Sequence, residues 1–193
     1  EDSGLVISEF AAPAYRLTIE DVVRPHNDAH VRHVTITNTG TSSLENVDVS
    51  FYAFYMLQTF PTGDKIHFDP ASGALLQVEG DVAVATVADR APTIAHCGNA
   101  MQLFGKQKDA RMAAESSTLT PCQENGTIEA GLGGVNGTLV HRLPAIAPGQ
   151  SKDITYAIGL GASEAKALTE AKAAVQGGFV ARAKEDKDHW ASV

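Results

Sequence analysis

The last third of the chain constrains the fold most. Val135–His141 alternates in the manner of a strand, Pro148–Gly149 marks a turn, and Asp153–Gly161 alternates again with Ile154, Tyr156, Ile158 and Leu160 on one face. Ser163 then stands three residues before Lys166, with Glu164 in the turn that follows, which is a helix start signal. Beyond it Ala167, Leu168, Ala171, Ala174, Val175 and Phe179 recur at spacings of three and four. This predicts a helix from Ser163 to Lys187, interrupted at Gly177–Gly178. Strands that feed a terminal helix imply a β-domain whose last helix packs onto something else, and a second domain is the natural candidate.

The rest of the chain reads as strands. Leu5–Phe10, Tyr15–Val23 and Val31–Asn38 are β-rich, with a turn at residues 39–42. Leu44–Leu57 alternates for longer than one ordinary strand, so a bulge near Tyr52–Phe54 is expected. Thr59–Pro70, with Pro61, Gly63 and Pro70, reads as a loop. Ala74–Val78 and Val82–Val87 read as a hairpin about Gly80. From Asp89 to Glu129 the pattern fails apart from a short helix at Lys106–Ala114, and so long an irregular segment is either functional or stapled. The sum is all-β: a two-sheet antiparallel β-sandwich with a C-terminal α-helix.

Charge excludes one class of partner. A formal net charge of -8, with no basic patch, argues against nucleic acid. No run approaches the ~20 apolar residues of a membrane span, so no membrane partner is expected. The chain opens at Glu1, as a processed product or a piece of a longer protein does. Cys97 and Cys122 both sit beside turn-forming residues and lack the spacing of a metal site. They read as a disulfide in an exported protein, secreted or periplasmic, which would contribute about 3 kcal/mol through loop closure. Two free thiols in a cytoplasmic protein are the alternative.

Several residue groups could carry chemistry, and each has a plainer reading. His26, His30 and His33, near Asp28, are a possible metal cluster. On a strand, however, His30 and His33 fall on opposite faces, and solvated loop residues are the preferred reading. The loop acids Glu124 with Glu129, and Asp64 with Asp69, could in principle pair for glycoside hydrolysis, but nothing in their spacing fixes a separation. The Gly-rich run 126–137 lacks the strand–GxGxxG–helix setting of a phosphate loop and reads as a tight connection into a strand. Asn125 and Asn136 each begin an N-glycosylation triplet, and both Asn–Gly pairs also read as turns. Tyr52, Phe54, Tyr55 and Phe60 precede the Pro/Gly loop. Such rings stack on sugars, although packing between sheets explains Tyr52–Tyr55 as well, and Phe60 is the hardest to place in a core. Phe179 and Trp190 are the expected anchors of the last helix, Phe179 on this domain and Trp190, solvent-exposed, toward a partner. The carbohydrate or interdomain contacts named are thus Phe60, Tyr55 and Trp190. No catalytic residue, cofactor or metal is expected.

Read in order, Asn38–Thr39–Gly40, Asp69–Pro70 with Gly73–Ala74–Leu75, Val135–Asn136–Gly137, Pro148–Gly149, Gly159–Leu160–Gly161 and Trp190 cover nearly the whole chain. In that order and spacing the chain resembles the N-terminal β-supersandwich domain of bacterial and archaeal glucoamylases, glucodextranases and trehalase-like enzymes of glycoside hydrolase family 15. The resemblance implies a galactose-mutarotase-like supersandwich at residues 1–162, lacking its first strands. Residues 163–193 would be a closing helix that starts the linker to a catalytic domain. The implied function is a non-catalytic accessory domain of an enzyme acting on α-glucans. The implied partners are the (α/α)6-barrel of the same polypeptide, where the family's general acid and base lie, and α-glucan itself. An autonomous carbohydrate-binding or cell-surface module, and a metal-dependent enzyme built on His26, His30 and His33, are the rival readings.

Overall fold

The computed structural model describes residues 3–25, 27–57, 63–99, 122, 128–129 and 134–192. They form two antiparallel sheets and two C-terminal helices, the sandwich the alternation predicts. The strands are β1 (Val6–Ala11), β2 (Tyr15–Val23), β3 (Ala29–Asn38), β4 (Asp48–Ala53), β5 (Lys65–Asp69), β6 (Ala74–Glu79), β7 (Val82–Ala88), β8 (Ile94–Asn99), β9 (Ile128–Glu129), β10 (Val135–Arg142) and β11 (Ser151–Gly161). The helices are α1 (Glu164–Gln176) and α2 (Phe179–Trp190). Eight strands make the large sheet, in the order β1-β2-β3-β11-β7-β6-β5-β9, and three make the small one, β4-β10-β8. The helices lie on one face of the large sheet and the small sheet on the other.

Strand parity decides which residues meet which layer. In β11, Ala157, Gly159 and Gly161 face the helices, while Ile154 and Tyr156 face the small sheet. The helix side is built from small residues: Ala29 and Val31 of β3, Ala83 and Ala85 of β7, Ala157 of β11, and Ala167, Ala171 and Ala174 of α1. α1 lies directly on the β11 backbone. A methyl group on Gly159 would overlap the Ala167 carbonyl oxygen and come within 2.5 Å of the Ala171 nitrogen. One on Gly161 would come within 2.7 Å of the Ala167 nitrogen.

α1 begins as the sequence indicates, with the Lys166 N–H donating to Ser163 Oγ at 3.3 Å. Its end is a full stop rather than an interruption. Gly178 has φ +71°, a conformation open to glycine, and the chain restarts as a second helix. Arg182 folds back to donate to the carbonyls of Ala174, at 3.2 Å, and Ala173, at 3.4 Å, which are left without helical partners at the α1 terminus. Its guanidinium occupies the space a side chain at Gly177 would need. Phe179 then buries its ring against His33, centroid to centroid 5.0 Å.

Between the sheets lie Val34, Phe51, Ile66, Leu75, Cys97, Val135, Leu139, Ile154 and Tyr156. Cys97 and Cys122 form the expected disulfide, with Cα atoms 5.3 Å apart, and the Cys122 N–H donates to the Ala95 carbonyl. Cys97 does not sit in a turn. It lies inside β8, facing the core.

Other local expectations also give way. Lys65–Asp69, read as loop, is β5, pairing with β6 from Lys65↔Val78 to Asp69↔Ala74. β8 lies within the segment whose sequence shows no alternation, held against β10 from Ile94↔Val140 to Asn99↔Val135. The long strand expected over Leu44–Leu57 is the short β4 preceded by one isolated bridge, Leu44↔Ile146. Asn46 at φ +54° breaks the extended run, and no bulge at Tyr52–Phe54 is needed because the strand ends at Ala53. Asn136–Gly137 is no turn but the interior of β10. A methyl group on Gly137 would overlap Leu75 of the facing sheet. The Lys106–Ala114 helix lies outside the described residues.

Two measurements follow from this layering. Gly159→Ala is expected to cost about 3 kcal/mol in urea unfolding, because backbone must yield on the helix side. Gly149→Ala, at φ +74° with open space around it, is expected to cost about 1 kcal/mol from conformation alone. The second concerns His141, buried in the inter-sheet layer with Nδ1 3.0 Å from the Tyr156 hydroxyl. Burial pushes its pKa down to about 4, so the fold holds the neutral ring. Above pH 6.5 both folded and unfolded states are neutral and no stability is lost. Below that the unfolded chain takes up the proton first, and stability falls until pH about 4. Between pH 7 and 4.5 the wild type is expected to lose on the order of 2–3 kcal/mol more than His141→Gln.

Candidate functional site

The small sheet covers only part of the large one, and the uncovered part forms a groove. Among the described residues β4 pairs with β10 alone, so its other edge is open. A cavity of about 740 Å³ runs along that edge, over β2 and β3. Its floor is Leu17, Ile19, Val34, Ile36 and Tyr156, and its wall is Val47, Val49 and Phe51. These are the inward-facing residues of their strands, which alternation places on one side. Tyr15 and Tyr52 stand at the mouth with Ser43, Glu45 and Asp48.

Arg32 supplies the one guanidinium of the groove. Two of its three nitrogens donate to Asp21, Nε to Oδ1 at 2.8 Å and Nη2 to Oδ2 at 3.0 Å, and its carbon lies 5.9 Å from the centroid of Phe51. His30 sits on the same carboxylate, Nε2 to Asp21 Oδ1 at 3.0 Å. Burial draws the His30 pKa down, and the Asp21 charge opposes that. The arrangement is a shaped, mostly apolar slot with aromatic rims and a charge pair already neutralised. It can hold an apolar or ring-shaped surface.

The residues singled out from sequence are scattered. His26 and Phe60 lie outside the described residues. His33 is on the helix side of β3, with Nδ1 2.9 Å from Thr155 Oγ1, while His30 is on the groove side, so the two cannot share an ion. Tyr55 is partly buried against the inter-sheet core, its hydroxyl 3.2 Å from Thr86 Oγ1, and burial pushes its pKa up to about 12. Trp190 lies at the end of α2, 51% exposed. Tyr55 and Trp190 therefore belong to different layers. Asn136 is buried inside β10 and donates to the Tyr52 hydroxyl at 3.2 Å, which leaves no room for a glycan.

The loop acids also separate. Glu124 and Asn125 are outside the described residues. Glu129 is exposed beside Lys65 at 3.7 Å. Asp69 closes its own turn, accepting from the Ala71 N–H at 3.1 Å and from Ser72 Oγ at 2.5 Å. Asp64 is buried and meets Glu79 instead, a contact no sequence spacing suggests. Burial, with Glu79 beside it, pushes its carboxyl up to about 6.

Comparison with known proteins gives the groove its setting. The family described as "Glucodextranase, domain N" matches residues 5–192. No curated protein matches the sequence. Among solved structures, a bacterial glucoamylase complexed with acarbose superposes with a TM-score of 0.63 at 10% identity, over 98% of this chain and 28% of its own. A protein from the human microbiome assigned as a kojibiose phosphorylase superposes with a TM-score of 0.61 at 9% identity, over 98% of this chain and 23% of its own. At those identities the likeness is one of fold, and the chain spans about a quarter of each of these proteins. The match over nearly its whole length shows that the chain belongs to the glucodextranase domain N family.

Proposed function

We propose that this chain is the non-catalytic N-terminal accessory domain of a glucoamylase-like glycoside hydrolase acting on α-glucans. It braces or completes an (α/α)6-barrel catalytic domain in the same polypeptide. The observation that carries the reading is the family match across residues 5–192. The disulfide supports a secreted or periplasmic setting. Among the described residues no helix is long and apolar enough to cross a membrane.

The surface best suited to the catalytic domain is the edge where β1 meets α2. β1 is an edge strand with Val6, Ile7 and Phe10 all more than half exposed. Trp190 adjoins the start of that strand. The buried carboxylate of Asp186 accepts from the Gly4 N–H at 2.7 Å and from Trp190 Nε1 at 3.0 Å. An apolar edge of this kind, beside a half-exposed indole, is what an interdomain contact covers. In this arrangement residues 1–162 are the sandwich and 163–193 the helical segment that leads toward the barrel.

The groove favours a second reading, a carbohydrate-binding module. Tyr15 and Tyr52 at its mouth could stack on sugar rings. Trp190 is the one tryptophan of the chain, so its fluorescence separates the two readings. The isolated domain is expected to emit in the red-shifted range of a wet indole. Adding the catalytic domain as a separate chain is expected to shift that emission to the blue. Replacing Val6 and Ile7 by Ser should weaken the association at least tenfold. Unchanged emission and no association on gel filtration would sink the accessory-domain reading. Retention of the isolated domain on an α-glucan column, abolished by Tyr52→Ala, would put the module in its place.

A further inference from the structure

Where β1 meets α2, one guanidinium is only partly matched by the domain's own acceptors. Arg24 follows β2, and the turn into β3 pins its backbone, its N–H donating to the Ala29 carbonyl at 2.9 Å. Its side chain is 13% exposed. Among the described residues its charged partner is Glu185 of α2, Nε to Oε2 at 3.5 Å. At that length the buried Nε is left without a formed hydrogen bond. Glu185 is also shared, since its Oε1 accepts from Arg182 Nη1. Arg182 has the fuller set, because its Nε and Nη2 donate to the Ala174 and Ala173 carbonyls. The next carboxylate along α2, Asp186, is taken by the Gly4 N–H and Trp190 Nε1, and Lys184 and Asp188 pair with each other. A guanidinium carries five N–H donors in a planar fork. Those on the two Nη atoms of Arg24 meet no acceptor among the described residues.

Exposed apolar side chains lie at the same end of the edge. Val23, beside Arg24 in the chain, is 60% exposed, and Val6, which opens β1, is 58% exposed. Val6 stands opposite Asp21, so the residues before β1 run toward Arg24. Gly4 is there tied to Asp186, the neighbour of Glu185, and the half-exposed Trp190 hangs on the same carboxylate. Tryptophan and arginine dominate the energy of protein contacts, and apolar neighbours keep water away from the pairs they make. We propose that Arg24 is the docking cation of this edge, and that the catalytic domain meets it with a carboxylate of its own. The inference rests on the reading of the chain as an accessory domain. A carboxylate suits the fork better than a backbone carbonyl does, because it accepts from two nitrogens at once. Docking also dries the edge, where such a pair holds more strongly than on open surface.

The test compares amide exchange in the complete polypeptide, catalytic domain included, with exchange in this chain alone. In the wild type, β1 and α2 are expected to exchange slower by about tenfold or more in the complete polypeptide. Arg24→Met should bring that ratio below about threefold. Each variant is measured in both forms, so any loosening inside the sandwich cancels. Arg24→Lys keeps the charge but loses the fork, and its ratio should fall between the two. It carries the test if Arg24→Met does not fold. A wild-type ratio near one would remove the catalytic domain from this edge, and the proposal with it. A wild-type ratio of about tenfold that neither variant lowers would overturn the proposal alone and leave the accessory-domain reading standing.

Discussion

The contact between α1 and the backbone of β11 is the one on which the other layers depend. Gly159 and Gly161 remove the side chains that would hold the helix away, and Ala167 and Ala171 present nothing larger than a methyl. The helix therefore sits lower on the sheet than bulky residues would allow. That fixes the helix-side face of β11 as a bed of small residues. By parity the same strand must then send Ile154 and Tyr156 to the other side. β11 stands between β3 and β7 in the large sheet, so its register sets which face of each neighbour is helix-side and which is inter-sheet.

The inter-sheet layer repeats the device on a smaller scale. Gly137 lets Leu75 reach across, and the sheets close most tightly there. The disulfide holds Cys122 to β8 at the same layer. Tyr156 joins the two halves of that layer, its ring 4.6 Å from Phe51 and its hydroxyl against His141. Away from these points the small sheet, among the described residues, does not extend over β2 and β3, and the groove lies there. The groove thus follows from the unequal widths of the two sheets among the described residues, eight strands against three.

Much of the fold is legible because its signals are local. The Ser163 cap, the turn at Gly80 and the spacing of Ala167, Ala171 and Ala174 each act over a few residues, and the structure uses each as its chemistry suggests. The strands missed from sequence fail for nameable reasons. Lys65–Asp69 does alternate, but it is five residues long and flanked by the Pro and Gly of its neighbours. Ile94–Asn99 contains Gly98 and buries both His96 and Cys97, so neither face reads as polar. Asn136–Gly137 carries a turn signature in the middle of a strand because the facing sheet, remote in sequence, excludes a β-carbon. The groove is less legible still. Its residues come from β2, β3, β11, β4 and the stretch before β4, and only the pairing within the large sheet together with the packing of the small sheet on it brings them together. The Asp64–Glu79 contact likewise joins a loop to the end of a hairpin, which no spacing rule connects.

The Asp186 carboxylate has a mechanical consequence. By accepting from Gly4 and from Trp190 it clasps the first strand to the last helix, although 182 residues separate Gly4 from Asp186. Among the described residues β1 pairs with β2 alone, so its outer edge has no second ladder to hold it, and this clasp ties it to the far end of α2. The two should open and close as one cooperative unit, with matched amide-exchange rates, while β3, β11 and α1 stay shut. A pull applied across the two ends would spend itself on this clasp before it reached the central ladder.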